Sequence, residues 1–243
     1  MVEGGRKLSA IKNAIVVAAQ PGVTTVELDN LADKMINEAG GKASFKMVAG
    51  YHHATCLCVN DVVVHGIPGA YKLKQGDILG IDVGLFYKGF HTDTSITIEI
   101  SSKSEILNSK FLDTGKLALK RAIAQVKVDK RIADISKAMQ GVIEEAGYAP
   151  VEALTGHGVG RELHEEPAIP CFVFGKYDFS PKIIEGMVLA VEVMYNEGVA
   201  DVAYKNDDGW TIATADGKIS GLFEESVAVT KDGPVILTNT KDE

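Results

Sequence analysis

Two segments of the chain carry apolar residues at helical spacing. The first set is Leu28, Leu31, Ala32, Met35, Ile36 and Ala39, and the second is Ile135, Ala138, Met139, Val142, Ile143 and Ala146. Steps of three and four residues place each set on one face of an α-helix. Gly40 and Gly147 follow the two segments, and glycine is typical just after a helix because it readily adopts a positive φ. The pattern predicts two amphipathic helices, 25–40 and 132–147.

Each predicted helix is followed by a strand with an acid in its apolar run. Residues 76–82 read Gly-Asp-Ile-Leu-Gly-Ile-Asp and residues 186–192 read Gly-Met-Val-Leu-Ala-Val-Glu, which places Asp82 and Glu192 at matching positions. A carboxylate in an apolar strand is costly unless it is paired or bound to metal. The repeat predicts an α+β fold of two pseudo-symmetric halves, each with helices packed on antiparallel strands, and two acids that face one site.

Strict alternation in residues 76–87 separates two faces of the first strand. Leu79, Ile81, Val83 and Leu85 share one face, and Asp82 lies on the other, between two glycines.

A hairpin after this strand would bring a second acid to the face of Asp82. If Lys88-Gly89 is a two-residue turn, counting back pairs Gly84 with Asp93. Asp93 is then the diagonal neighbour of Asp82, and the two carboxylates can lean towards one cation. The alternative is that Asp93 ends its strand and Asp82 marks a bulge, with both side chains in water.

A further acid opens the apolar strand 224–229, where two glutamates are adjacent. Alternation places Glu224 on the face of Ser226, whereas Glu225 shares a face with Val227 and Val229. The pattern therefore favours Glu224 over Glu225 as the functional acid.

Composition excludes several classes of function. The 243 residues carry 25 Lys+Arg against 33 Asp+Glu, a net charge of −8, which offers no basic footprint for nucleic acid. Cys56, Cys58 and Cys171 form neither a zinc ribbon nor a disulfide framework, which favours a reducing compartment. No apolar run is long enough to span a bilayer. We expect a cytoplasmic protein that acts without membrane or nucleic-acid partners.

Three motifs carry a resemblance to a known family. They read Val62-Val-Val-His65-Gly-Ile-Pro68, Gly89-Phe-His-Thr-Asp93-Thr-Ser95 and Gly156-His157-Gly-Val-Gly-Arg-Glu-Leu-His164-Glu-Glu-Pro167. In order and spacing the chain resembles the type I methionine aminopeptidases, dinuclear metallopeptidases of the pita-bread fold. The resemblance runs from about Pro21 to Thr238 and implies one catalytic domain over residues 1–243. The stretch 167–224 looks too short and strand-rich to hold the helical insertion of the type II class.

The resemblance implies a ligand set for two divalent metal ions. It comprises Asp82, Asp93, His157, Glu192 and Glu224. In the family, Asp93 and Glu224 match the residues that bridge both ions. Independently, four carboxylates in one cavity would repel and become protonated unless cations neutralise them. A donor set dominated by oxygen suits manganese, iron(II) or cobalt.

The resemblance also implies roles around the metal ions. His65 and His164 match histidines that touch substrate and transition state without binding metal, and Glu192 would carry a proton to the leaving amine after a metal-bridging hydroxide attacks. Cys56 and Trp210 match residues that line the pocket for the first substrate side chain. Each also has a simpler interpretation, Cys56 (with Cys58) as a small buried strand residue and Trp210 as a core residue.

Other histidines have an ordinary role in this interpretation. His52, His53 and His91 are expected to be surface or core residues and not metal ligands.

The pocket is where the chain departs from the family pattern. The segment Gly50-Tyr-His-His-Ala-Thr55 is shorter than its family counterpart, and Leu163 replaces a usual phenylalanine. Both changes remove bulk. We expect a wider pocket that accepts methionine but discriminates less sharply against leucine.

The resulting hypothesis is a monomeric hydrolase that removes the initiator methionine from peptides and nascent proteins. One alternative is a Xaa-Pro peptidase of the same fold, since the segment 156–167 suits that group, although its members usually carry a separate N-terminal domain. Another is a non-catalytic relative. That protein would have lost ligands, whereas all five positions are filled.

Overall fold

Four α-helices lie in the part of the chain that the computed structural model describes, residues 1–101 and 107–239. They are α1 (Val2–Ala18), α2 (Thr25–Glu38), α3 (Ser109–Ile123) and α4 (Ile132–Glu145). Helix α2 begins with a capping box, in which the Thr24 N–H donates to Glu27 Oε2 at 2.7 Å. Gly40 and Gly147, with φ of 78° and 88°, follow α2 and α4. The two predicted amphipathic helices are confirmed.

The described strands form a ten-stranded and a three-stranded sheet. The strands are β1 (Lys42–Ala43), β2 (Thr55–Val59), β3 (Val62–Val64), β4 (Ile78–Tyr87), β5 (Phe90–Glu99), β6 (Ala149–Pro150), β7 (Thr155–Gly158), β8 (Glu165–Pro170), β9 (Val188–Asn196), β10 (Val202–Tyr204), β11 (Ile212–Thr214), β12 (Ser220–Thr230) and β13 (Gly233–Ile236). The large sheet runs β1-β4-β5-β12-β9-β7-β8, with β2 on β4, β6 on β9 and β13 on β12. The small sheet runs β10-β11-β3.

The hairpin of β4 and β5 has the predicted register. Lys88 and Gly89 have φ of 50° and 86°, as a two-residue type I′ turn requires. Gly84 consequently lies opposite Asp93. Asp82 and Asp93 are diagonal neighbours on one face of the sheet.

The two halves meet in the middle of the large sheet. Strand β5 of the first half pairs with β12 of the second, which places Ser95 opposite Glu224. The turns before β4 and β9 match, since Gly76 and Gly186 have φ of 88° and 89°. This arrangement matches the repeat seen in the sequence.

The helices cover one face of the large sheet. Leu79, Ile81, Val83 and Leu85 of β4 pack with the apolar faces of α1 and α2, and all four are fully buried. Leu189, Val191 and Val193 of β9 belong to the core cluster that contains α3 and α4 residues. Alternation therefore turns four acids, Asp82, Asp93, Glu192 and Glu224, to the other face.

The segment between residues 167 and 224 contains strands and one short 3₁₀ helix, Tyr177–Phe179. It holds no α-helical insertion, as the sequence predicted. Among the helices of the described residues, none combines the length and the apolar character needed to cross a membrane.

Candidate active site

A cavity of about 180 Å³ lies on the helix-free face of the large sheet. Both halves of the chain contribute to its walls. The lining residues are Phe45, Val48, Tyr51, Cys56, Val64, His65, Asp82, Asp93, His157, Leu163, His164, Glu192, Trp210 and Glu224. Every site residue predicted from the sequence is in this set.

Four carboxylates converge at the floor of the cavity. Asp82 and Asp93 come from the β4–β5 hairpin, and Glu192 and Glu224 lie opposite each other on β9 and β12. Glu225, the alternative to Glu224, points to the other face, where its Oε1 lies 3.2 Å from Lys12 Nζ. The alternation argument selected the acid that faces the cavity.

His157 presents one ring nitrogen to these acids. Its Nδ1 lies 2.8 Å from the carbonyl oxygen of Gly158, which can only accept, so Nδ1 carries the proton. Nε2, 3.4 Å from Glu192 Oε1, is therefore free to bind a cation through its lone pair. Burial lowers the pKa of His157 to about 4, which keeps the ring neutral near pH 7.

The ligand atoms of Asp93, His157 and Glu224 lie within 4.8 Å of one another. Two further oxygens, Asp82 Oδ1 and Glu224 Oε1, are buried without a hydrogen-bond partner. Buried polar atoms are normally satisfied, so these two oxygens are suited to bind a cation.

Burial raises the pKa of all four carboxyl groups, and repulsion by neighbouring acids adds to the rise in three of them. Burial raises the pKa of Asp93 to about 7, against a hydrogen bond from the Thr94 N–H that lowers it. The pKa values of Asp82, Glu192 and Glu224 lie well above their usual range, first because of burial and then because of Asp93 and other nearby acids. Divalent cations would offset this repulsion and keep the acids ionised. The residues present therefore fit a divalent metal site.

Two further histidines face the cavity from its sides. The His164 ring lies 4.5 Å from that of His157, and the His65 ring lies 6.2 Å from the Trp210 ring, centroid to centroid. Burial lowers the pKa of both, so both are neutral near pH 7. Neither belongs to the group of close ligand atoms found among the described residues. A neutral imidazole has one donor and one acceptor nitrogen, so each ring can form a hydrogen bond with a bound molecule.

The other end of the cavity is apolar. Tyr51 packs edge-on against Trp210, with ring centroids 5.1 Å apart, and its hydroxyl lies 3.1 Å from Cys56 Sγ. Burial raises the pKa of the Cys56 thiol, so Cys56 is an unreactive wall residue. Leu163 closes the same end. An apolar side chain of modest size would fit there.

The sequence analysis missed Phe45 and Val48 as lining residues. Phe45 begins a single 3₁₀ turn, Phe45–Met47, too short to show a periodic pattern. One available signal was Gly84, because a Cβ there would lie 2.8 Å from Ser44 Cβ and 3.0 Å from the Phe45 ring. A glycine within a strand often marks such a close approach.

The histidines expected to have ordinary roles lie outside the cavity. His52 is exposed, and His53 Nδ1 lies 3.4 Å from Asp29 Oδ2. His91 is buried, with its Nδ1 2.9 Å from Ser44 Oγ. Cys58 is buried on β2 and does not line the cavity.

Comparison with known proteins agrees with the site. The sequence pattern of metallopeptidase family M24 matches residues 1–231. A methionine aminopeptidase of Clostridium perfringens is 40% identical over 241 residues, which cover 99% of this chain and 95% of the relative. The crystal structure of a methionine aminopeptidase from Thermotoga maritima superposes with a TM-score of 0.92 at 34% identity, covering 98% of this chain and 95% of that one.

More distant structures share the fold alone. A prolidase of Pyrococcus horikoshii superposes with a TM-score of 0.77 at 20% identity, covering all of this chain and 62% of the prolidase. The predicted α+β, pita-bread architecture is confirmed by these neighbours.

Proposed function

The chain belongs to metallopeptidase family M24, and on that premise we propose that it is a metal-dependent methionine aminopeptidase. It would hydrolyse the first peptide bond of peptides and nascent proteins that begin with methionine. One observation carries the proposal: four carboxylates and His157 line the same cavity as a group of apolar side chains. The near full-length similarity to methionine aminopeptidases supports the choice of substrate.

We propose that Asp82, Asp93, His157, Glu192 and Glu224 would hold two divalent ions. The close grouping of Asp93, His157 and Glu224 supports this assignment. Bound there, the ions would supply Lewis acidity to the scissile carbonyl and lower the pKa of water. The oxygen-rich donor set favours manganese, iron(II) or cobalt.

The side chains around the proposed ions have separate tasks. Glu192 lies at the floor of the cavity and is placed to take a proton from the attacking water and return it to the leaving amine. Neutral His164, beside His157, would donate a hydrogen bond to the oxyanion that develops on the scissile carbonyl. His65, on the Trp210 side, would hydrogen-bond the peptide next to the scissile bond.

The apolar end of the cavity would bind the first side chain of the substrate. We propose that Cys56 and Trp210 form its walls, with Leu163 in place of a larger residue. The pocket is small and bounded, so it would hold one side chain and place the amino terminus near the carboxylates. That geometry favours removal of a single residue.

We also propose a domain organisation, a cellular location and a class of partner. Strands from both halves share one sheet, which supports a single catalytic domain over residues 1–243, of which 102–106 and 240–243 lie outside the described residues. The three cysteines are free and buried, which supports a reducing, cytoplasmic location. We propose a monomer with peptides as partners.

The deciding experiment combines metal analysis with two substrates. Purified protein is loaded with manganese or cobalt, and cleavage of Met-Ala-Ser is compared with that of Ala-Pro. We expect metal-dependent release of methionine and no cleavage of Ala-Pro. Cleavage of Ala-Pro alone would indicate a Xaa-Pro peptidase, and metal binding without any cleavage would indicate a non-catalytic relative.

A further inference from the structure

A buried lysine lies behind the carboxylate cluster. Lys12 is on α1, on the helix face that carries Leu8 and Ile15, and only 5% of its surface is exposed. A buried ammonium group needs a charged partner and hydrogen bonds. Lys12 finds both on the face of the large sheet opposite the cavity.

The contacts of Lys12 reach two central strands. Its Nζ donates to Thr94 Oγ1 at 2.6 Å and to Glu225 Oε1 at 3.2 Å. Thr94 is on β5 and Glu225 is opposite it on β12. The ion pair therefore bridges the seam where the two halves of the chain meet.

Both partners of Lys12 are chain neighbours of proposed metal ligands. Thr94 follows Asp93, and Glu225 follows Glu224, so alternation puts the ligands on the cavity face and the partners on the helix face. The Thr94 hydroxyl lies 2.9 Å from the Glu224 carbonyl oxygen, and the Thr94 N–H donates to Asp93 Oδ1 at 3.0 Å. Thr94 thus contacts the Glu224 backbone through its hydroxyl and the Asp93 carboxylate through its N–H.

A second branch of the network holds Asp93 from the side. The Thr238 hydroxyl donates to Glu225 Oε2 and accepts from the Ser226 N–H at 3.0 Å. Ser226 Oγ in turn accepts from the Asp93 N–H at 2.9 Å and donates to the Asp93 carbonyl oxygen at 2.8 Å. Both backbone groups of Asp93 are therefore held by the Ser226 hydroxyl, and Ser226 is linked to the Glu225 carboxylate through Thr238.

We propose that Lys12 and Glu225 are positioning residues, which hold Asp93 and Glu224 at the separation that metal binding needs. The inference rests on the proposed function, since it concerns the same metal site. Neither residue touches the cavity; both act through Thr94 and the β5–β12 pairing. Outer residues that orient metal ligands commonly change metal affinity by roughly 10–100-fold when they are replaced.

The direction in which metal affinity changes in two single variants distinguishes a positioning role from a purely electrostatic one. Lys12→Met leaves an unpaired negative charge behind the site, which by its field alone would tighten cation binding. Glu225→Gln leaves an unpaired positive charge, which by its field alone would weaken it. Positioning predicts that both variants weaken binding, because both break the link between β5 and β12.

The experiment titrates manganese into metal-free protein by calorimetry and follows thermal unfolding of the same samples. We expect the Kd for manganese to rise about tenfold or more in Lys12→Met and in Glu225→Gln, with partial recovery in Lys12→Arg. Thr94→Val, which keeps the shape and removes the bridging hydroxyl, should weaken binding as well and covers the case in which Lys12→Met fails to fold.

A matched control is available on α1 and the β4–β5 hairpin, the elements that also carry Lys12 and Thr94. Glu3 of α1 accepts hydrogen bonds from Tyr87 and Lys88 of the hairpin, far from the acids, so Glu3→Gln should leave the Kd unchanged. Tighter binding in Lys12→Met, or lower thermal stability with an unchanged Kd, would overturn the positioning role. A wild-type protein that binds no metal would instead contradict the proposed function itself.

Discussion

The four acids of the cavity repel one another. Asp82 Oδ1 and Glu224 Oε1 are buried without partners, and four carboxyl groups have raised pKa values. Folding does not relieve this repulsion. A bound divalent ion would relieve it, so the role of each acid can be tested by replacing it and measuring metal binding.

Replacing Asp93 by Asn removes a negative charge from the centre of the cluster while keeping the shape of the side chain. We expect bound metal and activity to fall together, because Asp93 is a proposed ligand that lies close to the other three acids. Metal content by mass spectrometry and peptide cleavage measure the two effects. Asp113→Asn, an exposed change on α3, serves as the control. Two tightly held ions in Asp93→Asn would contradict the role of Asp93 as a metal ligand.

His164→Ala tests a residue that is proposed to act on the transition state alone. Loss of one oxyanion donor lowers kcat by roughly 10²-fold or more, and the metal content should not change. Steady-state kinetics with metal analysis checks both. If metal is lost in proportion to activity, His164 is a ligand, and His52→Ala provides the exposed control.

At the residue scale, the sequence identifies polar residues better than apolar ones. Asp82, Asp93 and Glu224 stood out because an acid on a strand face is anomalous, and the β-strand period assigns the face. Lys12 is just as anomalous on an apolar helix face, yet its partner, 213 positions away in the chain, cannot be inferred from local pattern. Phe45 offered no anomaly at all.

Among the elements, the β4–β5 hairpin and the segment from Ser44 to Cys56 shape the site. The hairpin was predictable because Lys88-Gly89 dictates a two-residue turn, and the turn dictates the register. The path of the segment from Ser44 to Cys56 was not predictable, since it depends on packing against Gly84 and Trp210.

The pocket formed by that segment leads to a prediction on specificity. We expect kcat/KM for Leu-Ala-Ser to lie within about 10–200-fold of that for Met-Ala-Ser, since the two side chains are similar in size and a misfit as small as one methylene is worth about 1–3 kcal/mol in an apolar pocket. Leu163→Phe restores bulk and should sharpen the preference for methionine. Strict methionine selectivity in the unmodified protein, or no effect of Leu163→Phe, would rule out a wider pocket.

For the whole molecule, the duplicated order of helix and strand was enough to predict two similar halves. The way in which the halves join could not be predicted, because the β5–β12 pairing links segments that are far apart in the chain. That pairing brings two acids from each half into one cavity. The stability of the whole fold should therefore depend on the charge state of the site.

The pH dependence of stability follows from opposing groups. The raised pKa of Asp93, about 7, contributes stability that is present at low pH and is lost as pH rises through that value. The lowered pKa of His157, about 4, contributes stability that is lost as pH falls and is complete above about 6.5. Between pH 6.5 and 8 the contribution of the four carboxyl groups, whose pKa values are all raised, outweighs what remains of the histidine contribution.

We therefore expect the Tm of the metal-free protein to fall from pH 6.5 to pH 8. Calorimetric scans of Asp93→Asn should show a shallower fall, and saturating manganese should abolish or reverse it, because metal binds the ionised acids. A Tm that rises with pH in the metal-free wild type would show that the carboxyl groups are not held protonated by the fold.

We propose that the carboxylate cluster and the apolar pocket together form one metal-dependent aminopeptidase site. The most direct measurement titrates manganese into metal-free protein while methionine release from Met-Ala-Ser is followed. The account predicts no activity without metal, activity that rises with bound metal up to two ions per chain, and no cleavage when the substrate amino terminus is acetylated. Full activity in the metal-free protein, or equal cleavage of the acetylated peptide, would contradict it.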